Sequence, residues 1–188
     1  MSNVNRDSGE RPLPSAEFLE RARRVRLLSC DVDGVLTDGK LYYGDDGSEF
    51  RAFSALDGLG LKLLLRSGIA VAWITGSSRP LVIKRAQDLG IVHVAHGSED
   101  KLAPWERLRS ELGLEAAACA HIGDDLPDLP LLRRCGLAVA VPQAPEIVRR
   151  AAHHVTLAGG GAGAVRELCE LILAAQGSLD PLLEEYTR

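Results

Sequence analysis

Short apolar runs that stop at polar clusters alternate with helical stretches along most of this chain, and that alternation leaves few architectures open. Ile69-Ala70-Val71-Ala72-Trp73-Ile74 is continuously apolar, the pattern of a strand covered on both faces, and it stops at Thr75-Gly76-Ser77-Ser78. An opening run, Leu27-Leu28-Ser29-Cys30, passes into Asp31-Val32-Asp33-Gly34, and Ala116 to Ile122 passes into Gly123-Asp124-Asp125-Leu126-Pro127-Asp128. Strands that alternate with helices predict a Rossmann-like α/β fold, a parallel sheet with helices on both faces.

The elements follow from local signals. Strands are expected at about 26–32, 69–74, 91–95, 116–122, 137–141 and 155–157. Helices are expected at about 15–24, 57–67, 80–89, 98–112, 144–151 and 163–176, with a further short one after Asp128. Ser15 is placed to cap the first helix. Pro80 and Pro104 fit first turns, and Gly90 closes the helix that Pro80 opens. Residues 39–53 differ from the rest: two short aromatic-containing runs flank Gly44-Asp45-Asp46-Gly47, a hairpin inserted between the first strand and the next helix. Residues 1–14 are polar and lack periodicity, so they are expected to be disordered. Residues 15–177 are expected to form a single domain, and 178–188 a mobile tail.

Composition narrows the function classes. The formal net charge of −4 offers no electrostatic case for nucleic acid, and no apolar run is long enough to span a bilayer. The polar N-terminus lacks the apolar core of a signal peptide, so the expected compartment is the cytoplasm. Four cysteines stand at 30, 119, 135 and 169 with no CxxC pair, and they are expected as small buried residues. The five histidines are scattered, without the spacing of a metal site, and are assigned to surface and core.

The chemistry collects at strand ends. Asp31 and Asp33 are two residues apart, so in extended chain both face one side. Taken alone they are equally an Asx-rich turn after a strand. In a parallel sheet, however, the Asp31/Asp33, Thr75-Gly76-Ser77 and Asp124/Asp125/Asp128 clusters share one edge, with Lys101 near the start of an adjacent helix. So many carboxylates repel one another, and a divalent cation and a lysine would offset that repulsion. All-oxygen ligands without thiolate or imidazole point to Mg²⁺. Such a site suits phosphoryl transfer through an aspartyl-phosphate: a carboxylate attacks phosphorus, and the protein positions groups and neutralises charge. Thr75 and Lys101 are suited to hold phosphate oxygens, and Asp33 to move a proton.

The set Asp31-x-Asp33-Gly-Val-Leu-Thr-Asp, Thr75-Gly, Lys101 and Gly-Asp124-Asp125-x-x-Asp128 resembles the haloacid dehalogenase superfamily of aspartyl phosphatases, in the family's motif order, over roughly residues 25–177. That resemblance implies Asp31 as nucleophile, Asp33 as general acid and base, and Thr75 and Lys101 on the phosphate. It also implies Mg²⁺ on Asp31, the carbonyl of Asp33, and Asp124, with Asp125 and Asp128 in support. A narrower likeness, carried by Phe53-Ser-Ala-Leu-Asp57-Gly58-Leu-Gly60, Arg85 to Ile91 and Gly160 to Glu167, is to the capless 3-deoxy-D-manno-octulosonate 8-phosphate phosphatases, which serve lipopolysaccharide sugar synthesis. It implies a homotetramer whose hairpins associate, a sugar-acid phosphate substrate, and contacts to it from Asp33, Ser54, Asp57, Gly58, Lys62, Ser77, Arg85 and Lys101.

The chain departs from that family at two positions: Leu56 and Ser77 stand where arginines are usual. An acidic sugar needs cationic partners, which leucine and serine do not supply. Arg79 is either a substitute or a solvated helix-start residue. The glycines at 159–161 are either a flexible connection or a loop that approaches the catalytic site, and Arg166 either binds phosphate or packs at an interface. The competing readings are a nonulosonate 9-phosphate phosphatase, a phosphomutase, for which there is no room for a cap, and a non-catalytic subunit with the same fold.

Overall fold

The computed structural model describes residues 14–187. The expected disorder over 1–14 therefore falls almost wholly outside the described residues. The chain begins with α1 (Ala16–Ala22), capped by the Ser15 hydroxyl, which accepts from the Phe18 N–H at 3.1 Å. It continues through β1 (Leu27–Cys30), β2 (Tyr42–Tyr43) and β3 (Glu49–Phe50). Next come α2 (Ala55–Arg66), β4 (Ala70–Thr75), α3 (Pro80–Leu89), β5 (His93–His96) and α4 (Leu102–Glu111). Then follow β6 (Cys119–Gly123), α5 (Leu129–Leu132), β7 (Leu137–Ala140), α6 (Glu146–Ala151), β8 (His154–Val155), α7 (Ala164–Ala175) and α8 (Leu179–Glu184).

Six strands form one parallel sheet in the order β5-β4-β1-β6-β7-β8. β1 lies between β4 and β6, pairing Cys30 with Trp73 on one side and with Ile122 on the other. Its neighbours are consecutive neither with it nor with each other, so the sheet's connections reverse direction around β1 and open a crevice at its carboxyl end. The four residues of β1 and the last five of β4 are buried, as a central strand covered on both faces requires. Cys30, Cys119, Cys135 and Cys169 are free and buried.

β2 and β3 make a separate antiparallel hairpin, with Tyr42 opposite Phe50 and Tyr43 opposite Glu49. Its turn closes through the Gly44 N–H donating to the Ser48 carbonyl at 2.8 Å. Leu41, Tyr43 and Phe50 on this hairpin are each more than half exposed.

Several boundaries shift from expectation for local reasons. α4 starts at Leu102 rather than near residue 98, because the Asp100 carboxylate accepts from the Leu102 N–H at 2.9 Å and fixes the start there. A 3₁₀ turn over Ala116–Ala118 replaces the first part of the strand expected from residue 116. The expected tail carries α8, with Pro181 inside it, and Arg66 of α2 pairs with Glu185 just beyond it. Among the described residues, no helix is long and apolar enough to cross a membrane.

Candidate active site

The polar cluster is built on the turn that follows β1. The Asp31 N–H extends the sheet ladder by donating to the Ile122 carbonyl at 3.0 Å, which fixes its side chain at the sheet edge. Thr37 holds the turn, its Oγ1 accepting from the N–H groups of Gly34 and Gly39, each at 3.3 Å. Gly34 has φ +92°, and a Cβ there would overlap the Asp124 carboxylate, so glycine is required twice over. The 159–161 glycines pack on the same turn. The Gly161 N–H donates to the Val35 carbonyl at 2.9 Å, and a Cβ on Gly160 would run into the Gly34 carbonyl. Gln143 completes this packing, donating to the Gly34 carbonyl at 3.0 Å and accepting from the Gly160 N–H at 3.3 Å. The glycine loop thus abuts the backbone under the site.

Asp31, Asp33, Thr75, Ser77, Lys101, Asp124 and Asp125 line one cavity of about 460 Å³. Lys101 is buried and sits between two carboxylates, with Nζ 2.7 Å from Asp31 Oδ1 and 2.7 Å from Asp128 Oδ1. Burial works to lower its pKa, but the two adjacent carboxylates outweigh it and the net shift is upward, so the ammonium persists. Thr75 is buried at the end of β4, and its Oγ1 accepts from the Ser77 N–H at 3.0 Å.

Asp31, Asp124 and Asp128 bring one carboxylate oxygen each to within 4.8 Å of one another. They are not equivalent. Asp128 is saturated: Oδ1 faces Lys101 and, at 3.1 Å, His121 Nε2, while Oδ2 accepts from the N–H groups of Asp124 at 3.0 Å and Asp125 at 3.3 Å. Asp124 Oδ1 is buried without a partner. A cation between Asp31 and Asp124 would satisfy that oxygen, and the all-oxygen donor set suits a hard divalent ion.

The electrostatics agree. Burial raises the Asp31 carboxyl to about 8, with the Asp128 charge adding and Lys101 opposing. Burial likewise raises Asp124 to about 6. Burial would also raise Asp128, but His121 and Lys101 prevail and hold it well below the usual carboxylate range. Asp33 is raised mainly by burial, against the pull of Arg51 and Lys101, which suits a group that has to hold and release a proton.

The residues implied as substrate contacts divide. Ser77 lines the cavity, and Arg85 lines a neighbouring one. Ser54 caps α2, accepting from the Asp57 N–H at 3.3 Å. Asp57 is almost wholly buried and binds the start of α7, accepting from the N–H groups of Arg166 at 2.8 Å and Gly163 at 3.3 Å. Gly58 makes room for Arg85: a Cβ there would lie 2.6 Å from its Nη2. Lys62 and Leu56 are exposed on α2, away from the cavity lining. Arg166 pairs with Glu170 at 2.6 Å, and Arg79 with Glu49 at 2.7 Å.

Three residues at the site lay outside the sequence reading. His121 is fully buried, with Nδ1 2.9 Å from Ser29 Oγ and Nε2 on Asp128. Its one signal was its place two residues before Gly123, on the strand that delivers Asp124. Gln143 gave none. Arg51, just past β3, reaches Asp33, and its only mark was a basic residue next to a hairpin strand.

Residues 81–166 match the model of the haloacid dehalogenase-like hydrolases. The 3-deoxy-D-manno-octulosonate 8-phosphate phosphatase of Yersinia pestis is 46% identical over 164 residues, covering 87% of this chain and 88% of that protein. Its counterpart from Escherichia coli K12 is 45% identical over 166 residues, covering 88% of each. The crystal structure of the Moraxella catarrhalis 3-deoxy-D-manno-octulosonate 8-phosphate phosphatase, in complex with a magnesium ion, a phosphate ion and a KDO molecule, superposes with a TM-score of 0.88 at 45% identity, covering 90% of this chain and 98% of that one. With the same fold and like sequence over nearly its whole described length, this chain belongs to the haloacid dehalogenase-like hydrolases, in the family of the 3-deoxy-D-manno-octulosonate 8-phosphate phosphatases.

Proposed function

We propose that this protein is a Mg²⁺-dependent phosphatase that hydrolyses 3-deoxy-D-manno-octulosonate 8-phosphate through an aspartyl-phosphate on Asp31. The observation that carries this reading is the meeting of Asp31, Asp33, Thr75, Lys101 and Asp124 around one cavity at the carboxyl end of β1. The relatives' shared activity supplies the substrate.

Asp31 and Asp124, with the main-chain carbonyl of Asp33, would hold Mg²⁺, which when bound neutralises carboxylate and phosphate charge. Lys101, 2.7 Å from Asp31 Oδ1, orients the nucleophile and pairs with a phosphate oxygen. Thr75 donates its hydroxyl proton to another. An Asp31 oxygen attacks phosphorus while Asp33 gives its proton to the departing sugar oxygen. Asp33, now a carboxylate, takes a proton from water, which attacks the phosphoryl group, so that Asp31 and inorganic phosphate are released.

The exposed apolar side chains of the hairpin support assembly through it, and a homotetramer is the form we propose. Four free, buried cysteines are in keeping with a cytoplasmic location.

Purified protein given octulosonate 8-phosphate, a nonulosonate 9-phosphate and a neutral sugar phosphate tests the reading by phosphate release. Release should be greatest from the first and should stop on chelation of Mg²⁺. Preference for the nonulosonate would transfer the assignment to that competitor, and no release from any of them would mark a non-catalytic subunit.

A further inference from the structure

Gly34 follows Asp33, whose main-chain carbonyl the proposed mechanism gives to Mg²⁺, and it is poorly suited to fix that carbonyl by itself. A Cβ at position 34 would lie 2.1 Å from Asp124 Oδ2, so the close approach of the second carboxylate ligand requires glycine. Glycine has no side chain to restrict its own φ and ψ. The peptide between Asp33 and Gly34 is planar, so its carbonyl moves as one unit with the Gly34 N–H and has to be held by groups around it.

Two side chains among the described residues hold Gly34. Thr37 Oγ1 accepts from its N–H at 3.3 Å. Gln143, in the loop after β7, donates from Nε2 to its carbonyl at 3.0 Å. The same amide accepts through Oε1 from the Gly160 N–H at 3.3 Å, so only one orientation of the amide serves both bonds. The glycine loop leaves room for it: a Cβ on Gly160 would lie 2.6 Å from Gln143 Nε2. Gly34 and Gly160 are buried, whereas Gln143 is exposed. An exposed side chain that uses both ends of its amide on buried main chain from two distant segments serves those groups and not the core.

We propose that Gln143 is a positioning residue for the metal: by holding the Gly34 carbonyl it restrains the adjoining Asp33 carbonyl, and so favours Mg²⁺ over the larger Ca²⁺. Mg²⁺ demands near-ideal octahedral geometry with ligands at about 2.0–2.1 Å, while Ca²⁺ accepts longer and more variable ones. Loosening one main-chain ligand therefore costs Mg²⁺ more than Ca²⁺. The inference rests on the phosphatase reading for the metal and its ligands, and adds to it a residue, 109 positions from Gly34, that sets which cation the site prefers.

The test measures Mg²⁺ and Ca²⁺ affinities by calorimetry, without substrate, in wild type and Gln143→Met, which keeps the length of the side chain and loses both hydrogen bonds. Mg²⁺ affinity should fall about fivefold, the scale of one net hydrogen bond, and Ca²⁺ affinity should stay within about twofold of wild type. A merely structural role would move the two affinities together or leave both unchanged. If Gln143→Met does not fold, Gln143→Asn decides by the same two affinities, since it keeps the amide but is one methylene shorter. A ratio of Mg²⁺ to Ca²⁺ affinity within about twofold of wild type, in a variant whose parent binds Mg²⁺, overturns the inference alone. A wild type that binds neither cation overturns the metal site of the phosphatase reading and this role with it.

Discussion

Lys101 donates to Asp128 over 2.7 Å, and that contact takes Asp128 out of the cation site its position suggests. Of the three carboxylates that approach within 4.8 Å of one another, Asp31 and Asp124 can face a metal, and Asp128 fixes the lysine. The division makes opposite predictions for two substitutions. Asp124→Asn should weaken Mg²⁺ binding at least about tenfold by calorimetry, because the buried, unpartnered oxygen is lost as a ligand. Asp128→Asn should lower kcat about a hundredfold with a smaller change in Mg²⁺ affinity, because Lys101 loses one of its two anchoring charges. The reverse ranking in Mg²⁺ affinity would make Asp128 the ligand.

The pH dependence of stability carries a definite sign. Asp31 rises to about 8 and Asp124 to about 6 in the folded protein, above their ordinary value of 3.8. The folded state then binds more protons than the unfolded state across that interval, so stability is full below about pH 4 for these two groups and is lost as pH rises to about 8. Metal-free protein should show a falling urea midpoint from pH 5 to pH 8, and saturating Mg²⁺ should flatten the fall, since the ion takes the place of the bound protons. A midpoint that rises over this range without metal would contradict the charge crowding described here.

Asp57 separates a structural from a binding role. The family likeness puts it among substrate contacts, whereas its two oxygens accept from the Arg166 and Gly163 N–H groups at the start of α7. Asp57→Ala should therefore cost about 2–4 kcal/mol in chemical denaturation, as two charge-assisted bonds are lost and buried donors left unmade. KM for the sugar phosphate should move by less than about threefold, a change worth under 1 kcal/mol. A large rise in KM at unchanged stability would return Asp57 to the substrate.

The hairpin bears on assembly. Tyr43 is 66% and Phe50 60% exposed, on the element least able to stand alone in water. If the proposed tetramer assembles through the hairpin, Phe50→Asp should shift the sedimentation profile to smaller species. An unchanged profile would place the interface elsewhere.

The fold and the nucleus of the site were legible because both are written locally. β4 reads as a covered strand, Pro80 and Gly90 bound α3, and Asp31, Thr75 and Asp124 stand where strands stop. What was not legible depends on distant segments meeting. Arg51 reaches Asp33 across 18 residues, Gln143 reaches Gly34 across 109, and Asp57 reaches Arg166 across 109. His121 looked like one scattered histidine because its partner Ser29 lies on the neighbouring strand, and only the β1–β6 register pairs the two. The α8 helix escaped because its proline and short length read as a chain end.

In the proposed mechanism Asp31 carries the phosphoryl group. The most direct measurement is an acid quench of a single turnover with octulosonate 8-phosphate and Mg²⁺, followed by mass spectrometry of the peptide that contains Asp31. A hydroxylamine-labile phosphoryl group on Asp31, absent from Asp31→Asn along with all turnover, is the predicted result. Phosphate release without any protein-bound phosphoryl group, or turnover that survives in Asp31→Asn, would contradict it.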